Sequence, residues 1–451
     1  MNVIVLMLDS LRQDHVSVYG WDGCPVQTPH IDAIAAEGVV FDNVYPEGLP
    51  TIPVRTDLMT GLSSLTNRTW QPLMATDVTM AEVLRREGYL TALVADTYHL
   101  FKPDMNFHRG FDAFRWVRGA EYDGVAAGPL KHLKLEDHLT DGIPASWRES
   151  VHQALLSLDG RTEPEDFPCW QTMTAALDVL AQARDAKRDV FLWLDTFQPH
   201  EPWCPPATFD TFGDPSYDGP KVIMPPGGPA SAWGDHAVLD RTRSLYAGEA
   251  AYTDACLGRL FDGMRQMGYL DDSVIVILSD HGHPLGDHGK FLKGPDRVYS
   301  ELLKVPFILR LPGGAHGGRR VKALGRFPDL MPTLLDVVGL GANNMALAGK
   351  SLKSVLEGDD TSPYAATVSG FFPSDIRCVR NQRYSLIVNA EGDTDELYDL
   401  DADPRETTNI ISGSADIVAE LMRGIGSMFF KQKSQVRGVQ GSMEVAGTSL
   451  E

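Results

Sequence analysis

The 451-residue sequence has no long hydrophobic run. No apolar stretch approaches the roughly 18 residues that a membrane-spanning helix needs, so a transmembrane protein is not expected. Cysteine is sparse. There are five, odd in number and scattered (Cys24, Cys169, Cys204, Cys256, Cys378), with no CxxC spacing. Neither a zinc knuckle nor a disulfide framework is indicated, and reduced, buried thiols are expected. Positive charge is also short: 40 Lys and Arg against 61 Asp and Glu, a formal net charge of −21. A nucleic acid or an anionic membrane would be repelled, so neither is expected as a partner. The opening MNVIVLMLDSLRQD has no basic region ahead of its apolar run, and the run ends at Asp9. It does not read as a signal peptide, and the expected location is cytoplasmic. No internal repeat is present.

What the chain does contain is one grammar used four times. Val3 to Leu8 ends in Asp9, Tyr89 to Ala95 in Asp96, Val190 to Leu194 in Asp195, and Val274 to Ser279 in Asp280. Continuous apolar runs without alternation read as parallel strands buried on both faces. Helical stretches lie between them. Thr28-Pro29 opens one that Gly38 closes, Thr79 to Glu87 ends before Gly88, and a longer one runs from about Thr242 to Met267. Alternating strands and helices predict an α/β fold, a doubly wound, mostly parallel sheet with helices on both faces. Ligands in such sheets bind at the carboxyl ends of strands. One strand-end Asp is often only a helix cap; four in one chain point to a shared acidic site. An acidic protein that takes a small anionic substrate must build a local cationic pocket, and a metal ion is the direct means.

The expected organisation is a catalytic α/β domain over residues 1–365, with a Gly-, Pro- and charge-rich insertion at about 120–170. A small α+β subdomain over 366–430 would follow, with short antiparallel strands at Ile376 to Val388 and Glu396 to Leu400 and a helix from Ala415 to Phe430. The polar tail, 431–451, would be mobile or used in oligomer contacts, which leaves a homo-oligomer open.

The segment Thr51-Ile52-Pro53-Val54-Arg55, followed by Leu58, Thr60 and Gly61, carries the most chemical information. Pro53 suits a first helical turn and Gly61 its end. Thr51 then lies at a helix N-terminus, where an anion is favoured. Read by itself, Thr51 is an N-cap or a hydroxyl that could ionise beside a metal and attack.

The spacing T-x-P-x-R-x-x-L-x-T-G resembles the signature of the sulfatases, a family of the alkaline phosphatase superfamily. There a Cys or Ser is oxidised to formylglycine. The resemblance runs along nearly the whole chain. Asn2 to Arg12 is similar to the family's opening strand, and Phe197 to Pro202 (FQPHEP) to its P-H-x-P turn. Ser279 to Lys293 (SDHGHPLGDHGKFLK) resembles its S-D-H-G…L-G-E-H-G…K segment. Phe327 to Gly339, Gly349 to Leu352 and ELYDLDADPRETTN (Glu396 to Asn409) are similar to its later motifs. The resemblance implies an ester hydrolase with one divalent metal ion (Mn, Zn, Mg or Ca). Asp9, Asp280, His281 and Thr51 would be its ligands. Arg55 would hold the nucleophile oxygen and the anionic ester. His200 and Lys293 would bind the oxyanion or protonate the leaving group. Thr97 and His99, in the place of the family's G-K-W-H-L segment, would bind substrate.

Three positions depart from the pattern. Thr51 replaces the Cys or Ser, Ser10 replaces a second Asp, and Thr97 stands where a Lys is usual. A threonine ester lacks the geminal hydroxyl that lets formylglycine eliminate sulfate, so the mechanism usual in sulfatases is not expected. Phosphodiesterases of the superfamily attack phosphorus with Thr, and phosphonate monoester hydrolases place Thr near the Lys position. The expected function is therefore hydrolysis of phosphate or phosphonate mono- or diesters through Thr51. The alternatives are a sulfatase that works without formylglycine, and an inactive sulfatase-like binding protein.

Overall fold

A computed structural model describes residues 1–423 apart from 66, 343–344 and 390–394. In chain order its strands are Asn2–Leu8 (β1), Val39–Tyr45 (β2), Gly48–Leu49 (β3), Leu90–Ala95 (β4), Ala113–Trp116 (β5), Val190–Thr196 (β6), Gly228–Pro229 (β7), Ser273–Ser279 (β8), Lys290–Phe291 (β9), Phe307–Arg310 (β10), Arg319–Arg326 (β11), Thr367–Phe371 (β12), Ile376–Arg380 (β13), Tyr384–Asn389 (β14) and Glu396–Asp399 (β15). The helices that position the site are Pro29–Ala36 (α1), Thr51–Thr60 (α2), Met80–Arg86 (α3), Ala145–Leu158 (α4), Pro168–Asp185 (α5) and His236–Gln266 (α6).

The central sheet has eight strands in the order β11-β2-β10-β8-β1-β6-β4-β5. All pairs are parallel except those of β10, which runs antiparallel to both β2 and β8. The four strands of the repeated grammar are consecutive neighbours, β8-β1-β6-β4. Their residues are buried almost without exception because helices cover both faces. At about 1.5–3 kcal/mol for each buried aliphatic side chain, these strands form the hydrophobic centre of the molecule, which is why their sequences do not alternate. Two large apolar clusters lie on opposite faces: Ile4, Leu6 and Leu8 point into one, Val3, Val5 and Met7 into the other.

Helix ends follow local rules. Thr79 accepts from the N–H of Glu82, whose carboxylate reaches back to the Thr79 N–H, a reciprocal cap. The longest helix begins six residues earlier than the sequence predicts, because Asp235 caps it by accepting from Val238 N. The 120–170 segment is not wholly irregular: α4 buries Val151, Ala154, Leu155 and Leu158 against one face of the sheet. A second, five-stranded sheet is ordered β15-β14-β13-β12-β3. It is antiparallel except at β12–β3, where Gly370 and Phe371 pair with Gly48 and Leu49. Residues 415–423 are helical; the rest of the helix expected to Phe430, and the tail 431–451, lie outside the described residues. Among the described residues no helix is long and apolar enough to cross a membrane.

Candidate active site

Helix α2 (TIPVRTDLMT) is buried at all ten positions although half of it is polar. Each buried polar group must then find a partner inside the protein. Thr56 and Thr60 return their hydroxyl protons to the carbonyls of Ile52 and Thr56, one turn back. Asp57 accepts from the N–H groups of Gly48 and Ser64 and fixes the loops on either side. Gly61 ends the helix at φ +65°, a conformation that glycine adopts without a Cβ penalty. Thr51 is the first helical residue, after Pro50, and its hydroxyl makes no capping bond. Its Oγ1 instead lies 3.4 Å from Nε2 of His281.

Arg55 carries the electrostatics of the site. Its Nε and Nη2 grip Asp195 at 2.9 and 2.7 Å, Nη2 also reaches Asp9 at 2.9 Å, and Nη1 reaches Asp280 at 2.7 Å and the Thr51 carbonyl at 3.1 Å. Its N–H donors are thus all committed to protein acceptors, which accounts for a guanidinium held in full burial. Asp9 follows β1, Asp280 follows β8, and Asp195 is the penultimate residue of β6. β1 lies between β8 and β6, so the three carboxylates converge. The fourth aspartate does not join them. Asp96 accepts from Phe197 N and the Thr196 hydroxyl, so the expected acidic quartet is a trio and Asp96 anchors the loop after β6.

Three carboxylates against one guanidinium, all with side chains 0% exposed, leave a formal excess of two negative charges. A divalent cation would balance it. Asp9, Asp280 and His281 offer ligand atoms within 4.8 Å of one another. Nδ1–H of His281 donates to the Gly282 carbonyl at 2.8 Å, which leaves the Nε2 lone pair facing Asp280 (3.4 Å) and Thr51. Burial lowers the His281 pKa to about 4, so the imidazole is neutral near pH 7 and free to ligate. Two carboxylates, a hydroxyl and one imidazole make a donor set that a divalent cation such as Mn²⁺, Zn²⁺, Mg²⁺ or Ca²⁺ could use. Burial and the neighbouring Asp280 push Asp9 well above the usual carboxylate range. Burial acts the same way on Asp280, but His281, Arg55 and the Ser10 N–H outweigh it and hold that group low.

Ser10, in the place of the family's second Asp, is a support. Its hydroxyl donates to Asp9 at 2.9 Å and its N–H to Asp280 at 2.9 Å, while its carbonyl accepts from Tyr246. These bonds hold it at φ +64°, a left-handed conformation costing on the order of 1–2 kcal/mol for a non-glycine residue.

The remaining expected residues form two further pairs. Nζ of Lys293 donates to Nε2 of His200 at 2.6 Å, and Nδ1–H of His200 donates to the Glu201 carbonyl at 2.7 Å. Burial, then Lys293, holds His200 well below its usual pKa, so it is neutral. His99 sits between Trp70 and Phe197 with Nε2 3.1 Å from Glu121. Thr97 gives its hydroxyl proton to Asp195 at 2.6 Å, so it braces the carboxylate that holds Arg55. Asp195, expected from its strand end as part of a shared acidic site, belongs to this region, and so do Glu121, Glu201 and His283, which the sequence does not mark as site residues. Glu201 and His283 lie inside recognised motifs; Glu121 carries no local pattern. A cleft of about 860 Å³ lined by Trp21, Asp42, Lys304, Arg320, Lys322 and Arg405 contains none of these side chains. The site is marked by converging buried charge, not by the size of a concavity.

The sulfatase family model matches residues 1–340, and a model described as N-sulphoglucosamine sulphohydrolase, C-terminal, matches residues 286–429. The chain is 24% identical over 471 residues to an arylsulfatase of Clostridium perfringens, covering 91% of this chain and 90% of that protein. It is 27% identical over 398 residues to the multifunctional alkaline phosphatase superfamily protein PehA of Trinickia caryophylli, covering 78% and 76%. Among solved structures, the phosphonate monoester hydrolase of Agrobacterium radiobacter is similar in fold, with a TM-score of 0.73 at 24% identity over 96% of this chain and 95% of that one.

Proposed function

Because this chain belongs to the sulfatase family of ester hydrolases, within the alkaline phosphatase superfamily, we propose that it cleaves phosphate or phosphonate mono- or diesters, with unmodified Thr51 as nucleophile. The observation that carries this reading is the state of Thr51. It occupies the place of the formylglycine precursor, its hydroxyl does no structural work on α2, and it faces His281 beside Asp9 and Asp280. Members of the family use a divalent metal ion; here Asp9, Asp280, His281 and Thr51 would hold it. When bound, it would supply the positive charge that favours the Thr51 alkoxide and draws the ester oxygens in.

The protein's own groups then have distinct tasks. Thr51 Oγ1, its proton released to solvent as the alkoxide forms, attacks phosphorus and the bond to the leaving alcohol breaks. The leaving oxygen takes its proton from the Lys293–His200 pair, in which Lys293 holds the proton because His200 is neutral. Water next attacks phosphorus, giving a proton back to the Lys293–His200 pair, and Thr51 departs as the alkoxide, so no geminal hydroxyl is needed. Arg55 keeps Asp9, Asp280 and the Thr51 backbone in register, with Asp195 and Thr97 behind it. His99, paired with Glu121, would contact the substrate beside Phe197.

The likeness to an arylsulfatase over nine-tenths of the chain supports a second reading, a sulfate ester hydrolase that works without formylglycine. A hydrolysis screen separates the two. Aryl phosphate, aryl phosphodiester, aryl phosphonate and aryl sulfate would be compared with Mn²⁺, Zn²⁺, Mg²⁺ or Ca²⁺ supplied. A phosphorus ester should give the highest kcat/KM, and intact mass should equal the encoded mass. An aryl sulfate turned over faster than every phosphorus ester would establish the second reading instead.

A further inference from the structure

The cleft of about 860 Å³ that holds none of the active-site side chains lies where the edge of the central sheet meets the carboxyl-terminal segment. Asp42 of β2 and Arg320 and Lys322 of the edge strand β11 line it from the sheet, and the turn 400–407 after β15 lines it from the other segment. Trp21, from the loop after β1, and Lys304, just after the short helix Ser300–Leu303, complete the lining. In a chain of formal net charge −21, this cleft gathers two lysines and two arginines.

The four cations differ in what holds them. Arg320 is committed: it grips Asp42 at 2.7 Å and donates to the carbonyls of Val18 and Tyr19. Lys304 and Lys322 are not. Among the described residues neither ammonium has a hydrogen bond or a carboxylate within 4.0 Å. Lys304 is half-buried, and its Nζ lies 5.5 Å from the centre of the Trp21 ring. The Arg405 guanidinium lies 5.6 Å from the same ring, with one donor on the Asp22 carbonyl and Asp14 no nearer than 3.7 Å. An aromatic face attracts a cation but leaves its N–H donors free for another acceptor. Burial, then Arg380, lowers Lys304 to about 8 against the opposing pull of Asp42 and Glu406, so the group stays charged near pH 7 but short of negative charge.

Two uncommitted ammonium groups and a partly free guanidinium suit an oxyanion. A phosphate or sulfate group offers oxygens in several directions, where a carboxylate offers two in one plane. The cleft far exceeds such an ion, and the rest of its lining is made of hydrogen-bonding groups. Asp22 and Asp401 are exposed carboxylates, and Gln382 adds an amide. These are acceptors for hydroxyl groups. We propose that the cleft binds a sugar bearing a phosphate or sulfate group, its oxyanion held by Lys304, Lys322 and Arg405 and its hydroxyls by Asp22 and Asp401. This site is distinct from the Asp9–Asp280–His281 centre and goes beyond the hydrolase reading, since it stands whichever ester Thr51 cleaves.

The probe is glucose carrying a sulfonate on C6, whose C–S bond an ester hydrolase does not cleave. It is titrated calorimetrically into the metal-loaded protein, with glucose and inorganic sulfate as companions. Wild type should bind the sulfonate, and Lys304→Met and Lys322→Met should each weaken it by roughly tenfold or more while turnover of an aryl ester stays unchanged. Neither change removes a charge that a described carboxylate holds, so the melting midpoint should not fall. Should Lys304→Met nonetheless unfold, Lys322→Met, on an exposed side chain, decides the matter. Absence of binding up to about 10 mM would refute the site. So would undiminished binding in both variants, which would put the probe at the active site instead. Inorganic sulfate bound as tightly as the sulfonate would overturn the sugar assignment, and glucose bound as tightly would overturn the oxyanion assignment.

Discussion

Replacing Thr51 separates chemistry from folding more sharply than any other substitution at this site. Thr51→Val keeps the branched shape and deletes only the hydroxyl. The structure assigns that hydroxyl little stabilising work: it caps no helix, and its one polar contact, to His281 Nε2, is long at 3.4 Å. Losing it should cost no more than about 1 kcal/mol of stability, a shift of roughly 2 °C or less in melting midpoint for a chain of this size. Removing a covalent nucleophile should lower kcat/KM by roughly 10³-fold or more, about 4 kcal/mol of transition-state stabilisation. The ratio of the two effects is the diagnostic, since a purely structural threonine would lose activity only in step with stability. Thr51→Ala should behave as Thr51→Val does, and Thr51→Ser should retain measurable turnover because it keeps a hydroxyl on the same carbon. The assay is steady-state hydrolysis of the best phosphorus ester alongside thermal unfolding of each variant. Near-wild-type rates in Thr51→Val and Thr51→Ala would refute the nucleophile assignment.

Three other outcomes follow from the same geometry. Asp9→Asn and Asp280→Asn each remove a formal ligand charge and should lower metal content at sub-saturating metal by tenfold or more in elemental analysis; an unchanged content in both would remove these residues from the ligand set. Asp195→Asn breaks the two-pronged hold on Arg55 but leaves it Asp9 and Asp280, so denaturant unfolding should register a loss nearer about 3 than 5 kcal/mol, with lower kcat. A loss under about 0.5 kcal/mol would mean that Asp195 does not position the guanidinium. His288 gives a pH-dependent term. Burial alone would lower its pKa, but Glu301 at 2.7 Å and the Glu406 carbonyl outweigh that and raise it to about 9. Its stabilising contribution is therefore complete below the unfolded value near 6.5 and is lost as pH rises through 9. After discounting for partial exposure and for the opposing upward shift of Glu301, His288→Gln should cost about 1–2 kcal/mol at pH 6.5 and close to nothing at pH 10. A gap in unfolding free energy that stayed constant across that range would rule the linkage out.

The strands that end in aspartate could be read from sequence because a strand buried on both faces must be apolar throughout, and the first polar residue after it stands out. The same rule could not tell Asp96, which holds a loop, from Asp9, which faces Arg55, since both follow identical patterns and only the partner differs. Nor does periodicity carry direction, so the reversed strand β10 inside a parallel sheet could not be anticipated. Helix α4 was hidden by the Gly and Pro around it, yet Val151, Ala154, Leu155 and Leu158 recur at helical spacing and would have disclosed it. Glu121 is different in kind. Its neighbourhood is made by His99, 22 positions earlier, and by His200 and Glu201 from the loop after β6, and no local pattern encodes that meeting.

The strand pairing at Gly48 and Leu49 bears on how such a protein could be divided or recombined. Only Pro50 separates that pair from Thr51, and the pair is hydrogen-bonded to Gly370 and Phe371. Glu406, from the same carboxyl-terminal segment, bonds Arg380 within it and reaches back to Ser300 and His288 outside it. A chain cut near residue 365 would expose the backbone leading into the nucleophile and release the loop that carries Lys293 from its far support. Exchanging that segment between relatives would thus retune turnover, and a shortened enzyme made by deleting it would lose turnover together with the core contacts of Cys378, Ile387 and Tyr398.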